Sequence, residues 1–198
     1  MGFAAPSLQG KALQWLAQRE HSRAELQAKL LRHACNMLRK ALAGHRDTVG
    51  HGRVGDGMVG DAELAASGDA AAASETAAAA RAQAHAKVTQ VLDDRAAAGL
   101  QSDTRAAQSL ARSKSSRYGG HRLKQQLLAK GLAPELVAHT VGQARATEFE
   151  RALEIWRRRY GEPAQNLNER ARQVRFLTAR GFDSDVVRRV VRGPVEAD

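Results

Sequence analysis

The sequence predicts an all-α protein of three tandem three-helix units that form an elongated, curved helical array, with a low-complexity insertion in the first unit. Three observations support this fold class. Apolar residues recur at helical spacing, whereas runs typical of strands are almost absent from the 198 residues. The four prolines lie where helices can begin or have ended, at positions 6, 134, 163 and 194. Similar stretches also recur at intervals near fifty residues.

The first two helices are predicted from their caps and apolar faces. A helix over residues 7–19 places four apolar side chains on one face: Leu8, Ala12, Trp15 and Leu16. Ser22 then precedes Glu25 by three residues, which is the spacing of a capping box that begins a second helix. This second helix is expected to end near Ala34 or to fray into the insertion.

The predicted insertion covers about residues 36–86 and is rich in Ala, Gly and Ser. Its apolar surface is too small for it to fold by itself, and residues 44–73 are expected to form a tolerated loop without core residues. A third helix is expected to resume before Val88 and to end at Gly99, because glycine is the usual residue after a helix.

Residues 50–60 read GHGRVGDGMVG and contain two overlapping G-x-G-x-x-G patterns, the spacing of a dinucleotide-binding loop. That loop needs a buried strand before its first glycine and a helix after its last one. Residues 41–49 contain no run of Val, Ile or aromatic residues, and the residues after Gly60 are mostly Ala mixed with Gly, Ser and Asp. We therefore interpret the pattern as a coincidence of composition and expect no cofactor.

The helices of the second unit are bounded by caps and breakers. Ser102 and Asp103 cap the fourth helix, and residues 118–120 end it. The fifth helix is expected to stop at Gly131, and Pro134 opens the sixth, since proline is well tolerated in a first helical turn.

The third unit supplies the last three helices. The seventh carries an apolar stripe at spacings of four, three and four: Phe149, Leu153, Trp156 and Tyr160. On this face Trp156 is predicted to pack in the core rather than to stack on a base. The eighth and ninth helices are predicted over residues 168–180 and 184–192.

Internal repetition defines the units. Leu127–Leu132 matches Leu177–Phe182 at an offset of fifty, and Leu26 corresponds to Leu123 in the same kind of helix. A period of this size is typical of tandem helical arrays, in which each unit contacts mainly its neighbours. The predicted units span residues 7–98, 99–145 and 146–193.

The chain is basic, with a net charge of +10, and the excess is unevenly placed. Residues 87–198 carry 21 Lys and Arg against 13 acids, whereas residues 35–86 carry five against six. A basic fold favours a polyanionic partner, either nucleic acid, a membrane surface or an acidic protein face. The alternative is that the charge only keeps the protein in solution.

Several absences bound the class of protein. Cys35 is the only cysteine, so no internal disulfide forms and we expect a reducing compartment. No apolar run approaches the roughly 18 residues of a membrane span, and the N-terminus does not resemble a secretory signal. The seven histidines show no H-E-x-x-H pattern and no Cys-x-x-Cys accompanies them. We expect a cytoplasmic monomer without metal, enzymatic activity or membrane contact.

Residues 99–132 read GLQSDTRAAQSLARSKSSRYGGHRLKQQLLAKGL. This segment resembles the RecX family, whose pattern is Gly-x-x-Ser-Asp-x-Arg-Phe-Ala followed by Gly-x-x-Arg-Leu and Lys-Gly. The corresponding residues are Gly99, Ser102, Asp103, Arg105, Gly119, Arg122, Leu123, Lys130 and Gly131. The resemblance covers residues 7–34 and 87–193. It departs from the family at Ala106, where an aromatic side chain is usual, and this change is expected to loosen the middle unit.

The resemblance implies regulation of the RecA recombinase in homologous recombination, DNA repair and the SOS response. A RecX protein lies in the groove of the RecA–single-stranded DNA filament, where it reduces ATP turnover, strand exchange and co-protease activity. The alternative is a general basic DNA-binding protein whose units resemble helix-turn-helix modules. No helix shows the polar N-terminal side chains that base readout would need.

Candidate contacts with RecA or with DNA phosphate are basic side chains outside the predicted apolar stripes: Arg112, Lys114, Arg117, Arg122, Arg157, Arg158, Arg159 and Arg175. Three successive helical residues span about 200°, so residues 157–159 cannot all face one partner. The alternative interpretation of each cluster is a solvated helix face.

Overall fold

The structure is a computed structural model that describes residues 7–49 and 65–193. These residues contain no strand and form nine helices: α1 Leu8–Gln18, α2 Arg23–Val49, α3 Ala65–Ala97, α4 Asp103–Ser115, α5 Gly120–Ala129, α6 Pro134–Arg145, α7 Glu148–Arg159, α8 Leu167–Ala179 and α9 Ser184–Arg192. The predicted all-α class is confirmed. Helix α9 has its predicted bounds, and α8 begins one residue earlier than predicted because Asn166 caps it.

The chain divides into two compact units. The first contains the described residues of Met1–Arg19 and Leu26–Gln101, and the second contains those of Glu20–Glu25 and Ser102–Asp198. Helix α2 therefore begins with residues of the second unit and continues in the first.

The first unit has an apolar core to which α1, α2 and α3 contribute. Its buried members are Ala12, Leu26, Leu30, Val88, Val91 and Leu92. Trp15 is half-buried and packs against this cluster, as its place on the apolar face of α1 predicts. The Nζ atoms of Lys11 and Lys29 each lie 5.5 Å from the centroid of the Trp15 ring. The ring therefore also carries cation–π contacts.

Helices α2 and α3 extend further into the predicted insertion than the sequence analysis expected. Of the two expected outcomes for α2, an end near Ala34 is wrong, because α2 continues into the predicted insertion as far as Val49, and α3 begins at Ala65. Ala84, inside the predicted insertion but outside residues 44–73, is buried. Alanine has the highest helix propensity of all residues. Ala84 also lines a cavity of about 250 Å³ together with Leu38 of α2.

The two G-x-G-x-x-G patterns of residues 50–60 lie outside the described residues. Helix α2 occupies the segment directly before Gly50. A dinucleotide-binding loop requires a strand at that place, whereas the chain there is helical.

The second unit contains two clusters of buried apolar side chains. One comes from α4, α5, α6 and the α5–α6 turn: Ala107, Leu123, Leu127, Leu132, Val137 and Val141. The other comes from α7, α8, α9 and the α8–α9 turn: Ala152, Trp156, Leu177, Phe182, Val187, Val190 and Val191. Trp156 is only 2% exposed, which confirms its assignment to the core. Ala106, at the position of the family's aromatic residue, is buried as well.

Backbone hydrogen bonds join the start of α5 to the end of α8, a contact that we call the α5–α8 junction. The amide of Gly119 donates to the carbonyl oxygen of Arg180, and the amide of His121 donates to the carbonyl oxygen of Gly181. Each donor–acceptor distance is 3.0 Å. A Cβ atom on Gly119 would lie 2.4 Å from the Gly181 oxygen and from backbone atoms of Phe182. The junction therefore requires glycine at this position, because only glycine lets two backbones approach so closely.

The buried carboxylate of Glu148, the first residue of α7, completes the α5–α8 junction. Its Oε1 atom accepts a hydrogen bond from the amide of Gly120, at a distance of 2.9 Å, and another from the amide of Asp183, at a distance of 3.3 Å. The side chain is only 3% exposed. A buried carboxylate is costly unless donors satisfy it, so these two amides hold α7 against both ends of the junction.

Arg151, one turn further along α7, fixes the turn between α4 and α5. Its guanidinium donates to the carbonyl oxygens of Tyr118 over 3.0 Å and of Ala144 over 2.6 Å, and also to that of Ser115. Burial lowers the pKa of this guanidinium from its ordinary value, and the charge of Glu148 opposes the shift. The α4–α5 turn is thereby held against α7.

The start of α2 contacts α4 and the end of α5 through a similar set of groups. The amide of Arg23 donates to Oδ1 of Asp103 over 2.7 Å, much as the first amide of α5 donates to a carboxylate of α7. The hydroxyl of Ser22 donates to the carbonyl oxygen of Lys130 and accepts from the amide of Glu25. The predicted cap at Ser22 is confirmed, and Asp103 of the family-like segment has a structural role.

We expect Gly119→Ala to destabilise the protein by about 1–3 kcal/mol, because the added methyl group meets backbone atoms that cannot rotate away. Urea unfolding of the full chain, followed by circular dichroism, measures the change. Gly142→Ala is the matched control, since a Cβ atom there meets nothing within 4 Å on an exposed face of α6. The control should gain about 0.5–1 kcal/mol. Equal effects of the two substitutions would contradict the close approach at the α5–α8 junction.

Candidate anion-binding site

An open groove of about 760 Å³ lies along the α5–α8 junction. Five arginines line it: Arg117, Arg122, Arg158, Arg159 and Arg180. Three half-buried aromatic side chains line it as well: Tyr118, Tyr160 and Phe176. We call this feature the arginine groove. Its lining combines positive charge with aromatic surface.

Several elements bring these arginines together. Arg117 lies in the α4–α5 turn, Arg122 in the first turn of α5, and Arg180 directly after α8. Arg158 and Arg159 are the last two residues of α7. Each helical residue is rotated by about 100° from the one before it. Burial of Trp156 therefore turns Arg157 and Arg158 outward, whereas Arg159 lies beside the buried face of α7 and is exposed as well. Arg158 and Arg159 line the groove.

Two of the arginines are stacked on aromatic rings. The guanidinium carbon of Arg122 lies 5.0 Å from the centroid of the Tyr118 ring, and that of Arg180 lies 3.8 Å from the centroid of Phe176. Arg122 also donates to the carbonyl oxygen of Ala179 over 3.4 Å. A guanidinium that stacks on a ring keeps N–H groups at its edge for a carboxylate or a phosphate. The two side chains are thus partly ordered before any anion binds.

The charge of the groove is poorly neutralised within the described residues. Of its five arginines only Arg158 forms an ion pair with a carboxylate there, with Glu154 over 2.6 Å. Both partners are largely exposed, at 78% and 68%, and such pairs contribute little to stability. No acidic residue is among the side chains that line the groove in this part of the chain. An anionic ligand would therefore meet an excess of donors.

The structure brings together half of the basic residues that the sequence singled out. Arg117, Arg122, Arg158 and Arg159 line the groove. The other four lie outside its lining on α4, α7 and α8: Arg112, Lys114, Arg157 and Arg175. Sequence reasoning missed Arg180, because this residue was treated only as the end of a helix. The sequence signal that could have identified Arg180 is its correspondence to another basic residue, Lys130, in the internal repeat.

Other kinds of site find no support in the described ranges. No group of three or more His, Cys, Asp or Glu side chains is placed there to hold a metal ion. Within the same ranges, no helix combines the length and apolar character needed to cross a membrane. Cys35 is an exposed free thiol on α2.

The fold and the groove together define a basic protein of helical domains with an arginine-rich surface. Models of the second and third three-helix domains of RecX match residues 102–140 and 146–191. The "Regulatory protein RecX" of Leptothrix cholodnii is 37% identical over 186 residues, which cover 94% of this chain and 88% of that protein. The protein of the same name from Ralstonia nicotianae is 32% identical over 94% of this chain and 87% of its own length. The chain belongs to the RecX family.

A solved structure shares the fold. The crystal structure of RecX from Lactobacillus salivarius superposes with a TM-score of 0.58 and covers 93% of this chain and 92% of that one. The sequence identity is 15%, so this likeness concerns the fold alone. The resemblance drawn from residues 99–132 is confirmed, and the relatives of this chain are regulatory proteins.

Proposed function

We propose that this protein binds the RecA–single-stranded DNA filament and inhibits its ATPase, strand-exchange and co-protease activities. The observation that carries the proposal is the arginine groove in a chain that belongs to the RecX family. We further propose that the protein acts as a monomer in the cytoplasm, in DNA repair and the SOS response, without a cofactor or catalysis of its own.

The electrostatics of the groove suit such a filament. A nucleoprotein filament offers phosphate groups and acidic side chains, and five arginines at one junction can meet several of them. Each phosphate contact releases condensed counterions, so binding should weaken steeply as the salt concentration rises. The alternative function, general binding of DNA by a basic helical protein, uses the same groove. The two functions differ in the amount of protein that inhibition of RecA requires.

ATP hydrolysis by RecA on single-stranded DNA is the deciding measurement. We expect the wild-type protein to inhibit at substoichiometric amounts relative to RecA. The double variant Arg117→Glu/Arg159→Glu should need roughly tenfold more protein for the same inhibition, because two groove cations become anions. The control Lys124→Glu/Arg145→Glu changes the net charge equally at exposed positions that lie outside the groove lining and are not candidate contacts. This control should inhibit like the wild type.

Two outcomes would count against the proposal. Inhibition only at amounts that saturate the DNA would favour the general DNA-binding alternative. Equal inhibition by the groove variant and its control, over a range of salt concentrations, would remove the groove from the contact surface. Melting curves of both variants separate these results from a loss of folding.

A further inference from the structure

Residues of α1, α2 and α3 in the first unit line a cavity of about 250 Å³. We call this feature the alanine cavity. Met37 keeps 38% of its surface exposed there. The cavity shares no lining residue with the arginine groove. Six apolar side chains contribute to its lining: Leu8, Ala34, Met37, Leu38, Ala80 and Ala84.

Small side chains account for the empty space. Leu30 of α2 and Val88 of α3 are fully buried in the core of the first unit. One turn further along α2 and one turn earlier on α3, the corresponding positions are Ala34 and Ala84. Protein interiors are normally packed without large voids, and methyl groups cannot fill the volume that Leu and Val fill one turn away. The first unit therefore carries an apolar recess.

The size and shape of the recess limit its occupant. Small-molecule sites measure about 300–1,000 Å³, so a cavity of about 250 Å³ suits one or two apolar side chains rather than a cofactor. Met37 can adapt to such side chains, because its own side chain is unbranched and flexible. Insertion into a lipid surface requires apolar groups that project from the protein, whereas these groups line a recess.

The helices around the cavity carry only positive charge. The parts of α1, α2 and α3 that contain the lining residues are 8–18, 26–40 and 76–92, and they hold seven Lys and Arg but no Asp or Glu. Lys87 is itself a lining residue. Such a surface attracts acidic partners. Nucleic acid is less suited than protein, because bases stack on aromatic side chains and the described lining of this cavity contains none.

We propose that the alanine cavity docks an acidic segment of a partner protein that carries one or two large apolar side chains. The apolar side chains enter the recess beside Met37, and the flanking carboxylates meet Lys87 and the other cations of the three helices. This contact goes beyond the proposed function, since it uses neither the arginine groove nor DNA. It also gives a role to Ala80 and Ala84, which lie in the predicted low-complexity insertion.

Fluorescence anisotropy of a labelled synthetic peptide tests the inference on the full chain. In this peptide several Glu residues flank the pair Leu-Phe, and we expect saturable binding that weakens as the salt concentration rises. A matched peptide with Ser in place of both Leu and Phe keeps the charge but lacks the apolar anchors. It should bind at least about tenfold more weakly.

Ala80→Phe should reduce the affinity for the Leu-Phe peptide at least about tenfold, because the added ring occupies the recess from within. Ala82→Phe is the matched control, since Ala82 is exposed on the same helix and does not line the cavity. This control should bind the peptide like the wild type, and melting curves verify that both variants fold.

Lys87→Glu tests the charge independently of the shape of the recess. Lys87 is exposed, so the substitution should leave folding intact even if Ala80→Phe disturbs it. We expect the affinity for the Leu-Phe peptide to fall about threefold to tenfold. Lys124→Glu, at an exposed position of the second unit, changes the net charge equally and should weaken binding by no more than about twofold.

Several results would overturn the inference. These are no saturable binding of the Leu-Phe peptide, equal binding of the Ser peptide, or equal losses in Ala80→Phe and Ala82→Phe. A fluorescent oligothymidylate tests the nucleic-acid alternative. If Lys87→Glu weakened binding of oligothymidylate and left binding of the peptide unchanged, this basic surface would serve nucleic acid, and the inference would fall.

Discussion

Replacing Trp156 with alanine is expected to lower the free energy of unfolding by roughly 3–5 kcal/mol. The indole is 2% exposed and lies in the cluster of α7, α8 and α9. Its removal leaves a cavity bordered by side chains such as Leu177 and Val187, and this cluster cannot collapse fully into the space. Urea unfolding of the full chain, followed by circular dichroism, measures the loss.

Trp156→Phe separates the volume of the indole from its hydrogen bond. Nε1 of Trp156 donates to Oε1 of Gln173 over 2.9 Å, and Gln173 is itself only 4% exposed. Phenylalanine fills most of the space but leaves that oxygen without its donor, so we expect a loss of about 1–3 kcal/mol. If alanine cost less than about 1 kcal/mol while RecA or DNA binding was lost, Trp156 would be a surface contact and its burial would be wrong.

Elements with strong local signals could be predicted from the sequence. Ser102 accepts a hydrogen bond from the amide of Arg105, and Pro134 occupies the start of α6, as their residue types predict. The apolar stripe through Trp156 also identified the buried face of α7. Caps and stripes depend on residues three or four positions apart, so periodicity alone is enough to locate them.

The lengths of α2 and α3 could not be predicted in the same way. The segment after Ala34 has few large apolar residues, and its alanines were interpreted as low complexity rather than as a helix. The structure buries Ala84 and gives α3 a start at Ala65. Small side chains are ambiguous in a sequence, because their contribution depends on which neighbouring helix they face.

The candidate site could be predicted only in part, because residues that are far apart in the sequence form it. Counting basic residues along the chain found Arg117, Arg158 and Arg159, but it grouped them with arginines that face elsewhere. The groove forms where the α4–α5 turn, α5, α7 and the end of α8 meet. The close approach at Gly119 that makes this meeting possible depends on the partner backbone, which no local pattern shows.

Glu148→Ala is expected to destabilise the protein by about 2–5 kcal/mol, because it leaves two amides at a buried junction without an acceptor. Those amides belong to Gly120 and Asp183. Glu154→Ala is the control on the same helix, since Glu154 is 68% exposed and pairs only with exposed Arg158. The control should change the free energy of unfolding by less than about 0.5 kcal/mol.

Glu148→Gln tests whether the acceptor or the charge matters at this junction. The amide oxygen of glutamine can still accept from Gly120 and Asp183, so we expect a smaller loss than with alanine. Because α5 and α7 each carry arginines of the groove, Glu148→Ala should also weaken the inhibition of ATP hydrolysis by RecA at temperatures where the chain stays folded. A stability like that of Glu154→Ala would show that the hydrogen bonds of Glu148 do not hold the α5–α8 junction together. Unchanged inhibition of RecA by a destabilised Glu148→Ala variant would show that the groove tolerates a loosened junction.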